Sequence, residues 1–242
     1  MSVAGAPPIL PKHPALRSGL VFLVHVFTAS GTVFSLLALV AAIDKHWPQM
    51  FGWLAVALFV DGIDGMLARK LRAAETWPRF SGETLDLVVD YLGYVLVPAL
   101  AIATGAIVPP SFGLVAAAAI LVSSAIYFAD RQMKTENWYF RGFPAVWNLI
   151  AFYLFLLRPE PWLALAIVAA FVALTFLPVL FIHPLRVKRL MPLNIALTAI
   201  WCVLAILTLW FDFSPPVYVT AALSVIGVYF LLAGLFRPRH AH

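Results

Sequence analysis

The sequence predicts an all-α, polytopic membrane protein of about eight transmembrane helices, with both termini in the cytoplasm. Three observations predict it. Of 242 residues, 63% are apolar and 11% are charged, with a mean hydropathy of +0.96, whereas soluble domains average roughly 45–50% apolar residues. Apolar runs near the length of about 20 residues that crosses a bilayer follow one another with little chain between them. The basic residues fall almost entirely into alternate loops. A soluble enzyme, a disordered segment and a disulfide scaffold are excluded, and Cys202, inside an apolar run, reads as a small core residue.

In chain order, residues 1–18 read as a Pro-rich cytoplasmic tail. The first apolar run, 19–43, is longer than the 7–15 residues of a secretory signal core, so it reads as a retained helix. Further spans are expected at 49–68, 84–104, 112–129, 144–157, 162–182, 194–211 and 216–236. With these boundaries, fourteen of the 16 Lys and Arg residues lie on one side; Lys45 and Arg158 lie on the other. The positive-inside rule makes the rich side cytoplasmic. The net charge of +5 and pI near 9.6 therefore report topology, not nucleic-acid binding. No repeat or linker divides the chain, and residues 1–242 are expected to form a single integral-membrane domain.

Four of the 11 acidic residues sit inside predicted spans: Asp61, Asp64, Asp86 and Asp90. Each costs at least about 2.5–3.5 kcal/mol at membrane depth, so they need a shared purpose. Asp61, Asp64, Gly65 and Ala68 lie at i, i+3, i+4 and i+7 on one stripe of the second helix, and Gly82, Asp86 and Asp90 at i, i+4 and i+8 on one stripe of the third. The two helices run antiparallel, and the spacing from Arg69 back to Asp61 equals that from Gly82 to Asp90. Asp61 is therefore expected to face Asp90, with Asp64 level with Asp86. Four converging carboxylates cannot all stay ionised without cations between them, and oxygen-only ligands suit Mg²⁺ or Mn²⁺. A pair of such ions serves phosphate chemistry. Gly65, Ala68 and Gly82 clear the surface for a polyanion, and Arg69 offers it a forked donor.

The run Asp61-Gly62-Ile63-Asp64-Gly65-Met66-Leu67-Ala68-Arg69, then twelve residues, then Gly82-x3-Asp86-x3-Asp90 resembles the CDP-alcohol phosphotransferase signature D-x2-D-G-x2-A-R-x8-G-x3-D-x3-D. Only the spacer departs, twelve residues in place of eight, and with the leading Asp-Gly pair it is similar to the bacterial phosphatidylcholine synthase branch. The stretch Phe140-Arg141-Gly142-Phe143-Pro144-Ala145-x-Trp147-Asn148 is also similar to that branch. The resemblance implies that Asp61, Asp64, Asp86 and Asp90 hold a divalent metal pair, Mn²⁺ or Mg²⁺. It implies that Asp90 is also the catalytic base, and that Gly65, Ala68, Arg69 and Gly82 accommodate the CDP group. It implies CDP-diacylglycerol and choline as substrates, a homodimer, and a bacterial inner-membrane enzyme whose site faces the cytoplasm.

Choline is a quaternary ammonium best held by aromatic faces, and candidate faces are Tyr91, Tyr94, Trp138, Tyr139 and Trp147, with Glu136 adding charge. Taken alone, such residues fit interfacial belts of Trp and Tyr better than a cage, and it is the resemblance to the branch that points to choline. The alternatives are the same chemistry on serine, inositol or glycerol phosphate, and a cation-coupled transporter. His25, His183, His240 and His242 read as interfacial or tail residues, and Asn148 and Asn194 as interhelical hydrogen-bonders, Asn148 within reach of a substrate.

Overall fold

A computed structural model describes residues 14–72, 79–135, 137–188 and 190–235. The expected tail up to residue 13, Glu136, Arg189, Arg237, Arg239, His240 and His242 lie outside the described residues. Helix α1 spans Pro14–Ile43, so the last residues of the expected tail, 14–18, are helical. It is followed by α2 (Trp47–Lys70) and α3 (Gly82–Thr104), then by α4 (Gly113–Ala129), which opens with a 3₁₀ turn at Pro110–Phe112. After α4 come strand β1 (Tyr139–Arg141), α5 (Trp147–Leu157), α6 (Pro161–Phe176), strand β2 (Leu180–Ile182), α7 (Met191–Trp210) and α8 (Val217–Leu232).

Among the described residues the regular structure is helical apart from this one small sheet. Also among them, five helical stretches are long and apolar enough to cross a bilayer: Ser18–Ile43, Trp47–Lys70, Gly82–Thr104, Pro110–Ala129 and Met191–Trp210. Three further apolar helices, α5, α6 and α8, are shorter. At 1.5 Å per residue the 11 residues of α5 and 16 of α6 fall short of a hydrocarbon core of about 30 Å. Their expected boundaries are thereby corrected. The run 162–182 does not continue as a helix, because Pro178 forces Leu177 into an extended conformation (φ −88°, ψ 145°). Residues 180–182 pair antiparallel with 139–141 instead. The run 144–157 becomes helical only at Trp147, after Pro144 and a left-handed Ala145.

Gly142 carries that rearrangement. Its φ of +76° favours glycine, and a Cβ there would collide with the Thr175 carbonyl at the end of α6. The closeness lets Gly142 N–H donate to the Val179 carbonyl at 2.8 Å and Phe143 N–H to that of Leu174 at 3.0 Å.

Helix α1 packs chiefly along α2 and also against α3. The centre is aromatic: Phe51 of α2, Phe152 and Phe155 of α5 and Phe213 beyond α7 sit with ring centroids 5.2–5.8 Å apart. Tyr153 ties three helices, accepting from Trp201 Nε1–H at 2.8 Å and donating to the Leu223 carbonyl at 2.7 Å. Large apolar residues such as Leu114 and Val217 face outward, as lipid-facing surfaces do and water-facing ones rarely do.

Candidate active site

Helices α2 and α3 present their acidic residues near the ends joined by residues 71–81. Ser81 caps α3, its Oγ accepting from Thr84 N–H at 3.1 Å. Carboxylate oxygens of Asp61, Asp86 and Asp90 lie within 4.8 Å of one another. Asp61 thus faces both acids of α3. Asp64, expected level with Asp86, is outside this group. Residues three apart on a helix differ by about 60° in direction, and Asp64 is turned toward α1, buried, with the Thr28 hydroxyl in hydrogen-bond reach. Three hard oxygen donors this close fit a divalent cation, which can be held by Asp61, Asp86 and Asp90 with Asp64 alongside.

Immediately after Asp90, residues Tyr91–Leu96 form a wider, π-type turn, with Val97 N–H reaching back to the Leu92 carbonyl. Pro98 has no N–H to give and its ring crowds the carbonyl of residue 94, so the helix register loosens here. The turn carries Tyr94, whose hydroxyl donates to Asp61 Oδ2 at 3.0 Å across the helix pair. Arg69 folds back over Gly65: its Nη1 lies 3.3 Å from where a Gly65 Cβ would stand.

Above this group the β1–β2 antiparallel pair assembles a basic and aromatic surface whose residues come from distant parts of the chain. Arg186 stacks its guanidinium over Trp138 at 4.4 Å. Partial burial and the neighbouring Arg69 hold Arg186 below its ordinary pKa, opposed by Asp86 and Asp61. Lys134 lies over Phe140 at 5.8 Å and within electrostatic range of Asp86 and Asp90. His183 stacks on the same Phe140 at 5.7 Å. Burial, then Arg186, Lys134 and Arg69, push His183 down to about 4, so it is neutral at pH 7.

Of the five aromatic candidates, the structure brings two to the acidic group: Tyr94 directly, and Trp138 through Arg186. Tyr91 turns its hydroxyl to the Leu121 carbonyl of α4 at 2.9 Å. Tyr139 is buried in the wall of a cavity of about 230 Å³ with Asn194 and Tyr229, where Tyr229 donates to Asn194 Oδ1 at 2.7 Å. Trp147 is fully buried in the core, its Nε1–H donating to Ser124 Oγ at 2.9 Å. The Asn148 Oδ1 is buried without a partner among the described residues.

Sequence reasoning missed Lys134 and Arg186 as neighbours of the acids and His183 as their companion on the same surface, and read His25 as interfacial although it is buried in α1. The Pro178 break and the Arg-Gly-Phe-Pro stretch each signal a break in the helical pattern, but nothing local says that the segments beside them pair with one another.

Fold and site define a class: a helical membrane protein with an all-carboxylate, metal-competent centre at one end of a helix pair and a basic surface over it. Residues 21–179 match the family model described as CDP-alcohol phosphatidyltransferase, and the chain belongs to that family. It is 45% identical over 213 residues to a phosphatidylcholine synthase of Brucella melitensis, covering 88% of this chain and 77% of that one. It is 48% identical over 220 residues to a phosphatidylcholine synthase of Bradyrhizobium diazoefficiens, covering 91% and 82%. A phosphatidylcholine synthase of Borreliella burgdorferi shares 31% over 211 residues, 87% and 90% of the two chains.

Proposed function

We propose that this chain transfers the phosphatidyl group of CDP-diacylglycerol to choline and releases CMP. The observation that carries the chemistry is the convergence of Asp61, Asp86 and Asp90 beside Arg69; the choice of choline is supported by the names of the relatives. Mn²⁺ or Mg²⁺ bound by these carboxylates with Asp64, as two ions, supplies charge neutralisation for a pyrophosphate. Arg69 meets a phosphate oxygen with its fork, while Gly65, Ala68 and Gly82 leave room for the CDP group. Asp90 takes the proton of the choline hydroxyl as its oxygen bonds to the phosphorus bearing diacylglycerol. The bond from that phosphorus to the bridging oxygen breaks, and CMP carries the electron pair away. Tyr94 orients Asp61, and Tyr94 and Trp138 are the two aromatic candidates nearest the acids for a quaternary ammonium, one face of Trp138 being taken by Arg186.

The same reading gives a single domain embedded in a bacterial inner membrane, with α5, α6 and α8 as shorter apolar helices beside the five long enough to cross it, both termini and the site on the cytoplasmic side, and a homodimeric enzyme. Lys134 and Arg186 favour a second reading, an anionic acceptor such as glycerol phosphate, because cations near the acids suit an anion. Purified protein given CDP-diacylglycerol, Mn²⁺ and each labelled alcohol in turn separates the two. Phosphatidylcholine is the expected product; formation of another phospholipid instead rejects choline. Asp90→Asn is expected to abolish CMP release, and release at the wild-type rate sinks its role as base.

A further inference from the structure

Helix α1 places beside the start of α3 a polar group, His25, that nothing in the signature includes. His25 is 8% exposed, and its Nε2 is buried with no hydrogen-bond partner among the described residues. Its neighbours along α1 are satisfied within the helix, Thr28 Oγ1 donating to the Val24 carbonyl at 3.2 Å and Ser35 Oγ to that of Gly31 at 3.0 Å. The imidazole stands beside Phe80, ring centroids 6.1 Å apart, and its Cε1 is 3.4 Å from where a Gly82 Cβ would be. A buried polar group left without a hydrogen bond is destabilising, an arrangement that a ligand can relieve.

Gly82 is one turn, about 6 Å, from Asp86 toward the α3 start. A nucleotide whose pyrophosphate lies at the acidic group and whose nucleoside points out of the membrane has to pass Gly82, and so the His25 ring. The geometry points to His25 as a nucleotide-binding residue: Nε2 hydrogen-bonds an oxygen of the sugar–phosphate part of a nucleoside 5′-phosphate. This rests on the CDP-alcohol reading of the site but not on the identity of the acceptor.

The informative substitution is His25→Phe, which keeps a planar ring against Phe80 and Gly82 and removes both nitrogens. CMP binding to purified protein in Mn²⁺ is measured by calorimetry, alongside melting temperature without nucleotide and KM for each substrate. His25→Phe is expected to weaken CMP at least tenfold and raise KM for CDP-diacylglycerol similarly. It leaves KM for choline within twofold and melting temperature unchanged or higher, because an orphan nitrogen is gone. His25→Gln, whose side-chain amide N–H approximates Nε2–H, is expected to regain most of the CMP affinity. A merely structural histidine would lower the melting temperature and leave CMP affinity alone. CMP affinity within twofold of wild type in folded His25→Phe overturns the assignment; should that variant not fold, His25→Gln binding CMP tenfold more weakly than wild type also overturns it. Wild-type protein that binds CMP but makes no phosphatidylcholine counts against the choline reading alone; wild type that fails to bind CMP overturns both.

Discussion

Replacing Gly65 by Ala separates the needs of the fold from those of the substrate. Among the described residues, a Cβ at Gly65 would meet Arg69 Nη1 at 3.3 Å, the far end of a flexible side chain. The backbone there is helical, and Ala is favoured over Gly in a helix by about 0.8–1.0 kcal/mol. The empty protein should therefore gain up to about 1 kcal/mol, on the order of 2–4 °C in melting temperature for a chain of this size. Substrate binding goes the other way. The methyl group displaces the guanidinium and narrows the approach to the backbone, and losing one charged hydrogen bond is worth about 1.5–3 kcal/mol, roughly a 10- to 100-fold rise in KM for CDP-diacylglycerol. Gly31→Ala is the control. Its Cβ would stand 2.6 Å from Val89 Cγ1, valine is stiff at χ1, and α1 must part from α3 at a cost of about 1–3 kcal/mol. Thermal melts and CMP release against CDP-diacylglycerol concentration check both variants. If Gly65→Ala melts below wild type while keeping its KM, or Gly31→Ala is as stable as Gly65→Ala, the reasoning fails.

Tyr94→Phe removes the donor 3.0 Å from Asp61 Oδ2 while keeping the ring, and Mn²⁺ dependence of CMP release should shift 10- to 100-fold to higher concentration. Trp147→Phe breaks the bond to Ser124 inside the core and should lower stability by about 1–3 kcal/mol, with KM for choline within twofold; a large rise in that KM would put the indole in the choline site. His183, held down to about 4 against an ordinary 6.5, is uncharged in the folded protein where an unfolded chain would bind a proton. Its contribution is therefore intact above pH 6.5 and lost as pH falls toward 4, and in melts from pH 7 to 4.5 His183→Phe should decline less steeply than wild type.

The parts of the site legible in the sequence are those fixed by one helical period. Asp61, Asp86 and Asp90 belong to two consecutive antiparallel helices, so spacing alone brings them together. Asp64 shows the limit of that reasoning: the stripe is right, but its 60° offset turns the residue to α1, and only packing decides between α1 and α3. Tyr94 lies within the π-type turn at Tyr91–Leu96, where a count at 3.6 residues per turn loses register. Lys134, His183 and Arg186 depend on a strand pairing between residues some 40 apart, which no local pattern reports.

Arg69, Lys134 and Arg186 carry a further consequence. All three belong to the fourteen basic residues whose placement predicts topology, and on that count they are interchangeable with Lys70 or Arg131. The fold makes them unequal: Arg69 lies over Gly65, Arg186 over Trp138 within range of Asp61 and Asp86, and Lys134 within range of Asp86 and Asp90. In the proposed topology, with the reaction centre toward the cytoplasmic boundary, one set of charges does both tasks, orienting the chain and receiving a polyanion, whereas a site at the midplane would need its own buried cations at several kcal/mol each. The carboxylates stand near the ends of α2 and α3 that residues 71–81 join, and there Lys134 and Arg186, from elements far along the chain, come within electrostatic range of them.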